Sequence, residues 1–572
     1  MKKVFVMILM LITNMVFGQH ISNFTSVVPG TQTTDLILPS THSFQYIIEE
    51  DDILTEGGLL PARPDFTGYV PINGSSTKGF LSINSEDSPG GVTILDIEWD
   101  FVNGKWITTM SEAVDFSPIG TIQNCGGTIT PWGTVLTCQE ALPGATLASG
   151  YKEYGWVIEI DPITKLTTWL YDIGNGKHEN ATFARMQTAP SRYDSVSKRV
   201  LYWGEDRGNG SVYKYVANNP EDLTNGTLYV LQADINTGTG QWINLNNTTP
   251  SDCNSTRTQA MNAGASLFQG VEDIEVSPIN GMIYFAVKNE ASIFRFRDDD
   301  FYAGGTISNF EVFVGGSPTT QYSINGIHEA WGTGNDNLAF DDKGNLWVLQ
   351  DGSRNHIWVI DSSHSSTNSQ VRLFARTPNG CEPTGITFTP DNKFIFLSIM
   401  HPLATNNATS QPDAFGIPRT FNNDVVIAIS LNENFGNTSL PIRNVELDVK
   451  NIQNVIKFNL TIDGEYDPYN EDVYLQKYIN NVWIDDMNLS NRNWNNLYDN
   501  NPINGLNYYR VRVEDQDGNS IYSNVCQINY QSVSQVRYYY DTNGRSVNHV
   551  DPFKLYIYRE GNMWFKTIRY DR

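Results

Sequence analysis

Cysteine is scarce in this chain, with five in 572 residues. That odd, thin supply excludes a small disulfide-stapled scaffold. Cations are scarce relative to acids, 38 Lys and Arg against 63 Asp and Glu, for a formal net charge of -25. A nucleic-acid partner is therefore not expected, because a phosphate backbone selects basic surfaces. Beyond the first residues no apolar run approaches the roughly 20 residues that a spanning helix needs, so no transmembrane segment is expected. Glycine doublets such as Gly126-Gly127 lack a following Lys-Ser or Lys-Thr, and no Gly-x-Ser-x-Gly elbow precedes a helix. No P-loop is present, and serine-hydrolase chemistry is unsupported. Helical periodicity is rare throughout.

What the chain does have begins with Met1-Lys2-Lys3, an apolar run over 4–17, and Gly18 before Gln19. This order predicts a secretory signal peptide over 1–18 and a secreted product, periplasmic, extracellular or on the cell surface. No cysteine follows at once, so a lipid anchor is not expected. From about residue 40 to 435, short apolar runs alternate with turn residues, and a strand-turn-strand phrase recurs at 155–162, 275–285, 338–348 and 386–396. Such hairpins, with long segments between them, predict an all-β fold and a β-propeller over 19–435. After 435 the texture turns Asn-rich. The strand around Tyr509-Arg510-Val511-Arg512-Val513, with Asp517-Gly518 and Tyr522-Ser523-Asn524 following, predicts a smaller C-terminal β-sandwich over 440–530, and 531–572 a further β segment.

The chemistry concentrates in a few blocks. Residues 121–140 place Asn124, Cys125, Gly126 and Gly127 before Trp132, Cys138, Gln139 and Glu140. A soft thiol, an amide and a carboxylate around glycines make metal-site chemistry, with oxygens suited to calcium and a thiolate suited to a transition metal. Cys138, Cys253, Cys381 and Cys526 remain available to pair or to be buried. Other acids sit beside glycines or at strand ends: Glu86, Glu179, Glu205, Asp206, Glu272, Asp336 and Glu382, with Asn337. Crowded carboxylates repel one another unless multivalent cations neutralise them. A hard-oxygen majority with one thiolate fits calcium plus iron better than zinc. His178 alone brings nitrogen, and a structural role for it is as plausible as ligation. Trp132 is read as packing.

Taken in order, the blocks Leu81 to Glu86, Asn124 to Glu140, Lys177-His178-Glu179-Asn180-Ala181, Trp203-Gly204-Glu205-Asp206-Arg207, Val271-Glu272-Asp273, Asp336-Asn337 and Glu382-Pro383-Thr384-Gly385 resemble the PhoX-type alkaline phosphatases over roughly 78–402. The resemblance implies a six-bladed propeller that hydrolyses phosphate-ester small molecules at a pocket holding iron (Fe3+), one ion ligated by cysteine, and several calcium ions (Ca2+). It implies catalytic roles for Cys125, Glu179 and Glu272, and metal ligation by Asn124, Cys125, Glu140, Glu179, Glu205, Glu272, Asp336, Asn337 and Glu382. Asp206 and Glu86 are weaker ligand candidates.

Departures stand beside it. Ser85 replaces the family's His, Gly270 stands where an Arg able to clamp phosphate is usual, and Gln139 reduces an acidic pair. Arg185, Arg207 and Arg354 are candidates to restore the cation. The alternative reading is a non-catalytic calcium-binding propeller serving as a ligand-binding or surface module. The sandwich resembles a fibronectin-type domain, and 531–572 resembles the sorting segments read by the type IX export machinery, without the usual preceding Pro-Asn-Pro turn.

Overall fold

Three of the recurrent hairpin phrases join the first two strands of an antiparallel sheet: 275–285, 338–348 and 386–396 each span such a turn. The turns carry their own chemistry. Asp341 Oδ1 accepts from the backbone N–H of Lys343 and of Asn345 (3.1 and 2.9 Å), and Asp391 Oδ1 accepts from that of Lys393 (3.2 Å). These Asx turns are why Asp-rich tetrapeptides punctuate the sequence. The computed structural model describes residues 20–185, 197–352 and 354–436, then 445–452, 455–462, 471–479, 482–490, 497–515, 520–531, 538–540, 545–547, 555–560 and 563–568. The leader expected over 1–18 lies outside the described residues, as does part of 531–572.

The chain divides into two compact units, 1–438 and 439–572. In the first, six strands begin the sheets: Pro64–Pro71 (β1), Asn124–Ile129 (β2), His178–Phe183 (β3), Val271–Val276 (β4), Asn335–Phe340 (β5) and Glu382–Phe388 (β6). Strands β1, β2, β5 and β6 each open a four-stranded sheet, whereas β3 and β4 form the two edges of a nine-stranded one. Each touches the next, β6 returns to β1, and the ring closes around an axis. This is a β-propeller.

The strands behind the axis show why this ring is stable. Leu346–Gln350, His356–Ile360, Phe394–Met400 and Val425–Leu431 are buried along their whole length. Sheets stacked face to face cover both sides of a middle strand, so these strands read as continuous apolar runs rather than alternating ones. Trp347, Phe374, Phe44 and Ile427 share one such inter-sheet core. The last sheet takes its outer strand from the start of the chain: His42–Glu49 pairs with Val425–Leu431, in register from His42/Leu431 to Glu49/Val425. Loss of the N-terminal strand would expose a row of unpaired backbone groups on that sheet.

The second unit has a core of its own. Val445, Leu447, Ile456, Phe458, Val473, Leu475, Tyr509, Val511 and Val513 are buried together between a three-stranded and a five-stranded sheet. Alternation along Tyr509 to Val513 sends Arg510 and Arg512 to the other face, as the period of two requires. All five cysteines are unpaired thiols. Among the described residues, no helix is long and apolar enough to cross a membrane.

Candidate metal centre

All six axial strands break register with their neighbour at one place. The breaks fall between Pro64 and Thr67, Asn124 and Gly127, His178 and Ala181, Val271 and Ile274, Asn335 and Leu338, and Thr384 and Thr387. A bulge leaves two residues outside the ladder and re-aims their side chains. The pairs left out are Asp65-Phe66, Cys125-Gly126, Glu179-Asn180, Glu272-Asp273, Asp336-Asn337 and Gly385-Ile386. In five of the six the first residue is an acid or the thiol. The sixth strand supplies Glu382 from its first position.

Glycine permits the approach. A Cβ on Gly126 would lie 2.2 Å from the Glu179 carbonyl oxygen, and Gly385, at φ +58°, packs against the Asp65 carbonyl in the same way. Any larger residue would push β2 from β3 or β6 from β1.

The result is one connected cluster. The ligand atoms of Asp65, Glu86 and Cys125 lie within 4.8 Å of one another, and so do those of Cys125, Glu140 and Glu179, of Glu179, Glu272 and Asp336, and of Asp336, Asp351 and Glu382. Cys125 Sγ is 2.8 Å from Asp65 Oδ2 and 2.9 Å from Glu179 Oε1. Eight carboxylates and a thiol thus face two ammonium groups. Lys177 pairs with Glu140 and lies 3.8 Å from Asp206; Lys288 Nζ lies 3.6, 3.4 and 3.0 Å from Glu272, Asp336 and Asp351. His401 Nε2 stands 3.8 Å from Glu382.

Burial, reinforced by these neighbours, drives protonation. The carboxyl of Glu86 is pushed up to about 9 by burial and then by Asp65 and Glu140, and that of Asp336 to about 7 by burial, which Lys288 opposes. Glu179, Glu272 and Glu382 are held well above the carboxylate range, and the Cys125 thiol well above its own, by burial first and by surrounding acids second.

Behind the cluster, the second residues of the bulges tie the strands together. Asn180 Nδ2 donates to Asp273, whose carboxylate also accepts from the Leu338 N–H (2.6 Å). Thr384 Oγ1 donates to Asp65 or to Asn337, and Asn337 Oδ1 accepts from the Gly385 N–H (3.0 Å). These bonds run between β3 and β4, β4 and β5, and β6 and its two neighbours.

Of the residues singled out in the sequence, Cys125, Glu140, Glu179, Glu272, Asp336, Glu382 and Glu86 are brought together. Asn124 is adjacent, but its amide bonds Thr121 and Thr137 (2.8 and 3.0 Å). The Asn337 amide likewise bonds within the protein. Glu205 is held by Arg257 (2.7 Å), outside these groups. Asp206 lies at the rim beside Lys177.

His178 is buried against Trp203 with Nε2 on the Gly174 carbonyl (2.9 Å), and burial lowers it to about 4. Trp132 packs on Phe183 and donates to Glu159. Gln139 bonds Thr121 and the N–H groups of Gly155 and Trp156, so its amide serves the sheet. At Gly270, φ is +87° and a Cβ would crowd Asp206 and Glu272; Lys288 Nζ lies 3.6 Å from that Glu272. Arg354 pairs with Glu329 instead.

Asp65, Asp351, Lys177 and Lys288 were not singled out as site residues. Asp65 carries a faint signal, an acid set in an apolar strand before Thr67-Gly68, as Glu179 and Glu272 are set in theirs.

A propeller axis lined by buried acids and a thiol defines a candidate metal centre rather than a packing core. The profile of the family described as alkaline phosphatase PhoX matches residues 102–403, more than half of the chain, and the chain belongs to that family of phosphoric ester hydrolases. Asp65 and Glu86 precede the matched range. The structure of Pseudomonas fluorescens PhoX in complex with vanadate, a transition state analogue, is 21% identical, covers 72% of this chain and 99% of its own, and superposes with a TM-score of 0.58. The calcium-binding protein regucalcin from Agrobacterium tumefaciens is 12% identical over 67% of this chain and 95% of its own, with a TM-score of 0.35. The periplasmic gluconolactonase of Pseudomonas aeruginosa is 11% identical over 67% and 96%, at 0.33. No curated protein sequence matches the chain significantly.

Proposed function

We propose that this phosphatase works with iron and calcium, iron at Cys125 with Glu140, Glu179, Asp65 and Glu86, and calcium at Glu272, Asp336, Asp351 and Glu382. The observation that carries this reading is the convergence of an acid or thiol from every axial strand. The donor set fits such ions. One thiol hydrogen cannot serve both oxygens that approach Cys125 Sγ, and Glu272 Oε1 is buried with no hydrogen-bond donor among the described residues, Lys288 Nζ standing off at 3.6 Å. Two lysines do not neutralise eight carboxylates, whereas multivalent cations do. The thiolate favours a transition metal on one side, and the all-oxygen side favours calcium.

Bound there, the ions supply the positive charge that holds the ester phosphate and offsets the charge developing on it. The protein's own part is to fix geometry. The bulges hold Asp65, Cys125, Glu179, Glu272 and Asp336 on rigid strands, the Asn180–Asp273 and Thr384–Asn337 bonds keep the strands in register, and Lys177 and Lys288 add positive charge at the rim. Lys288 takes the place of the Arg that the family usually carries at 270. Six axial strands support a six-bladed ring. The amino-terminal pattern supports export, and the carboxy-terminal segment supports a sorting role through type IX machinery.

Purified protein tests this. Iron and calcium should both be found by elemental analysis, together with a visible thiolate-to-iron absorption band and phosphomonoester hydrolysis that stops on chelation. A folded protein carrying calcium alone, without that band and without hydrolysis, would overturn the assignment and favour the non-catalytic propeller.

A further inference from the structure

One lysine at the centre is shared by three acids. Lys288 Nζ lies 3.0 Å from Asp351 Oδ2, 3.4 Å from Asp336 Oδ2 and 3.6 Å from Glu272 Oε1. Glu272 comes from the bulge of β4, Asp336 from that of β5, and Asp351 directly follows the strand Leu346–Gln350. Lys177 has one close acid, Glu140, and stands 3.8 Å from Asp206.

The backbone builds the Lys288 position. Its N–H donates to the Gly270 carbonyl (3.1 Å), its own carbonyl accepts from the Gly334 N–H (3.4 Å), and the Gly334 carbonyl accepts from the Asp351 N–H (2.8 Å). The two glycines stand two residues before Glu272 and Asp336, so this series of bonds ties the root of the lysine to the segments that carry all three of its acids. Both have positive φ, +87° and +82°, and a Cβ on Gly334 would lie 1.7 Å from the Asp351 carbonyl oxygen. Only glycine permits that approach. A lysine normally resists being held because its stem has many rotamers to lose; here the root is bonded on both sides and the tip meets three carboxylates.

We infer that the Lys288 ammonium is a resident cation of this centre, holding a position among Glu272, Asp336 and Asp351, so that the oxygen-rich end takes up one calcium ion fewer than its four acids would hold without the lysine. This rests on the calcium assignment proposed for these acids. The reason is charge. Glu272, Asp336 and Glu382 are buried and Asp351 is half-buried, and charge left uncompensated there is costly. With Lys288 among them, one divalent ion leaves a single negative charge over. Without it the deficit is two, which a second divalent ion makes good. The ammonium and a further ion cannot share the same three oxygens without strong mutual repulsion.

The test is calcium content, by elemental analysis and titration calorimetry, of the full chain prepared in calcium. K288M keeps the bulk of the stem and removes the charge; it should carry one calcium per chain more than the parent, with iron unchanged. K288R should match the parent. K288M/D351N removes one acid together with the cation, so it should fold without added calcium and gain no ion. A calcium content of K288M equal to or below that of the parent would overturn the proposal. An equal gain in K288M/D351N would do the same, because the added ion would then not depend on the acid that Lys288 holds. So would a K288M that stays unfolded in calcium while K288M/D351N folds, because calcium would then not replace the ammonium.

If the parent carries no calcium, the calcium assignment fails by itself. Lys288 is then judged on K288M alone: uptake of one calcium ion supports the resident cation, and no uptake overturns it.

Discussion

Buried acids occur in both units of this protein, and they are treated in opposite ways. In the C-terminal unit, Asp499 accepts from Lys477 Nζ (2.6 Å), from the Tyr509 hydroxyl (2.6 Å) and from the Asn501 N–H (2.8 Å). Burial alone would raise its carboxyl; Lys477 and Tyr509 outweigh that and hold it below the usual range. At the axis the acids face each other, and the carboxyls of Glu179, Glu272 and Glu382 rise instead. A buried carboxylate surrounded by donors completes a fold. A set of buried carboxylates surrounded by carboxylates is built for a cation that the chain does not itself provide.

The strongest way to break this comparison is to withdraw the cation. Prolonged chelation should lower phosphatase activity by about 10²-fold or more, the scale of losing electrostatic stabilisation of a transition state. The propeller's melting transition should also fall, while that of the C-terminal unit stays where it was. Calorimetry of the full chain before and after metal removal checks both. An equal shift in the two transitions would mean that the axial acids are no different in kind from Asp499.

Cysteine sharpens the same contrast inside one unit. Cys125 and Cys381 are both buried thiols, yet Cys125 lies among acids and Cys381 lies in an apolar core. C125A should reduce kcat by about 10²-fold and abolish any thiolate-to-iron absorption, leaving the fold intact. C381A should cost about 1 kcal/mol of stability and leave the absorption unchanged. Identical spectra for the two variants would place Cys125 with the packing residues.

Next in size is the paired acid itself. Removing one partner of a buried ion pair leaves the other uncompensated, so D499N should destabilise the C-terminal unit by about 3 kcal/mol. Phosphatase activity should not change, and a chain ending at residue 438 should keep it as well. Denaturant titration of both proteins measures the first effect, and steady-state kinetics measures the second.

How much of this was legible in the sequence follows from the range of the interactions. Hairpins are local, so the turn residues at 277–281, 341–345 and 389–393 announced the strands, and the repetition announced the propeller. Glu179 and Glu272 were legible because they stand in an ordered series of blocks that resembles a family; taken singly, each would read as a turn carboxylate facing solvent. Asp65 was only faintly so, since after Arg63-Pro64 it resembles a turn residue, and its contact with Cys125, sixty positions away, is what places it in the cluster. Asp351 sits before Gly352 and reads as a hairpin turn. Lys177 and Lys288 are ordinary charges until the ring closes and sets them against Glu140 and Asp336. Conversely, Glu205 matched its block but is taken by Arg257, a pairing between segments that no local pattern encodes.

The smallest expected effect distinguishes the units by pH. His42 and His356 are buried in the propeller, and burial lowers each to about 4, below the 6.5 or so of an unfolded histidine. Between those values the unfolded chain binds more protons than the folded one. The stability tied to keeping these rings neutral is therefore complete above pH 6.5 and is lost as pH falls toward 4. Asp499 has the same sign in a lower window: its folded value lies below the unfolded one near 3.9, so its contribution persists until pH drops below that. Lowering pH from 6.5 to 5.5 should therefore cost the propeller about 1 kcal/mol for each such histidine and leave the C-terminal unit unaffected. In H356N the propeller's loss over this interval should shrink by about one histidine's share. Denaturant midpoints at the two pH values, followed by a probe in each unit, measure the difference. A C-terminal unit that loosens first on acidification would show that Asp499 is not the well-paired acid its three donors make it.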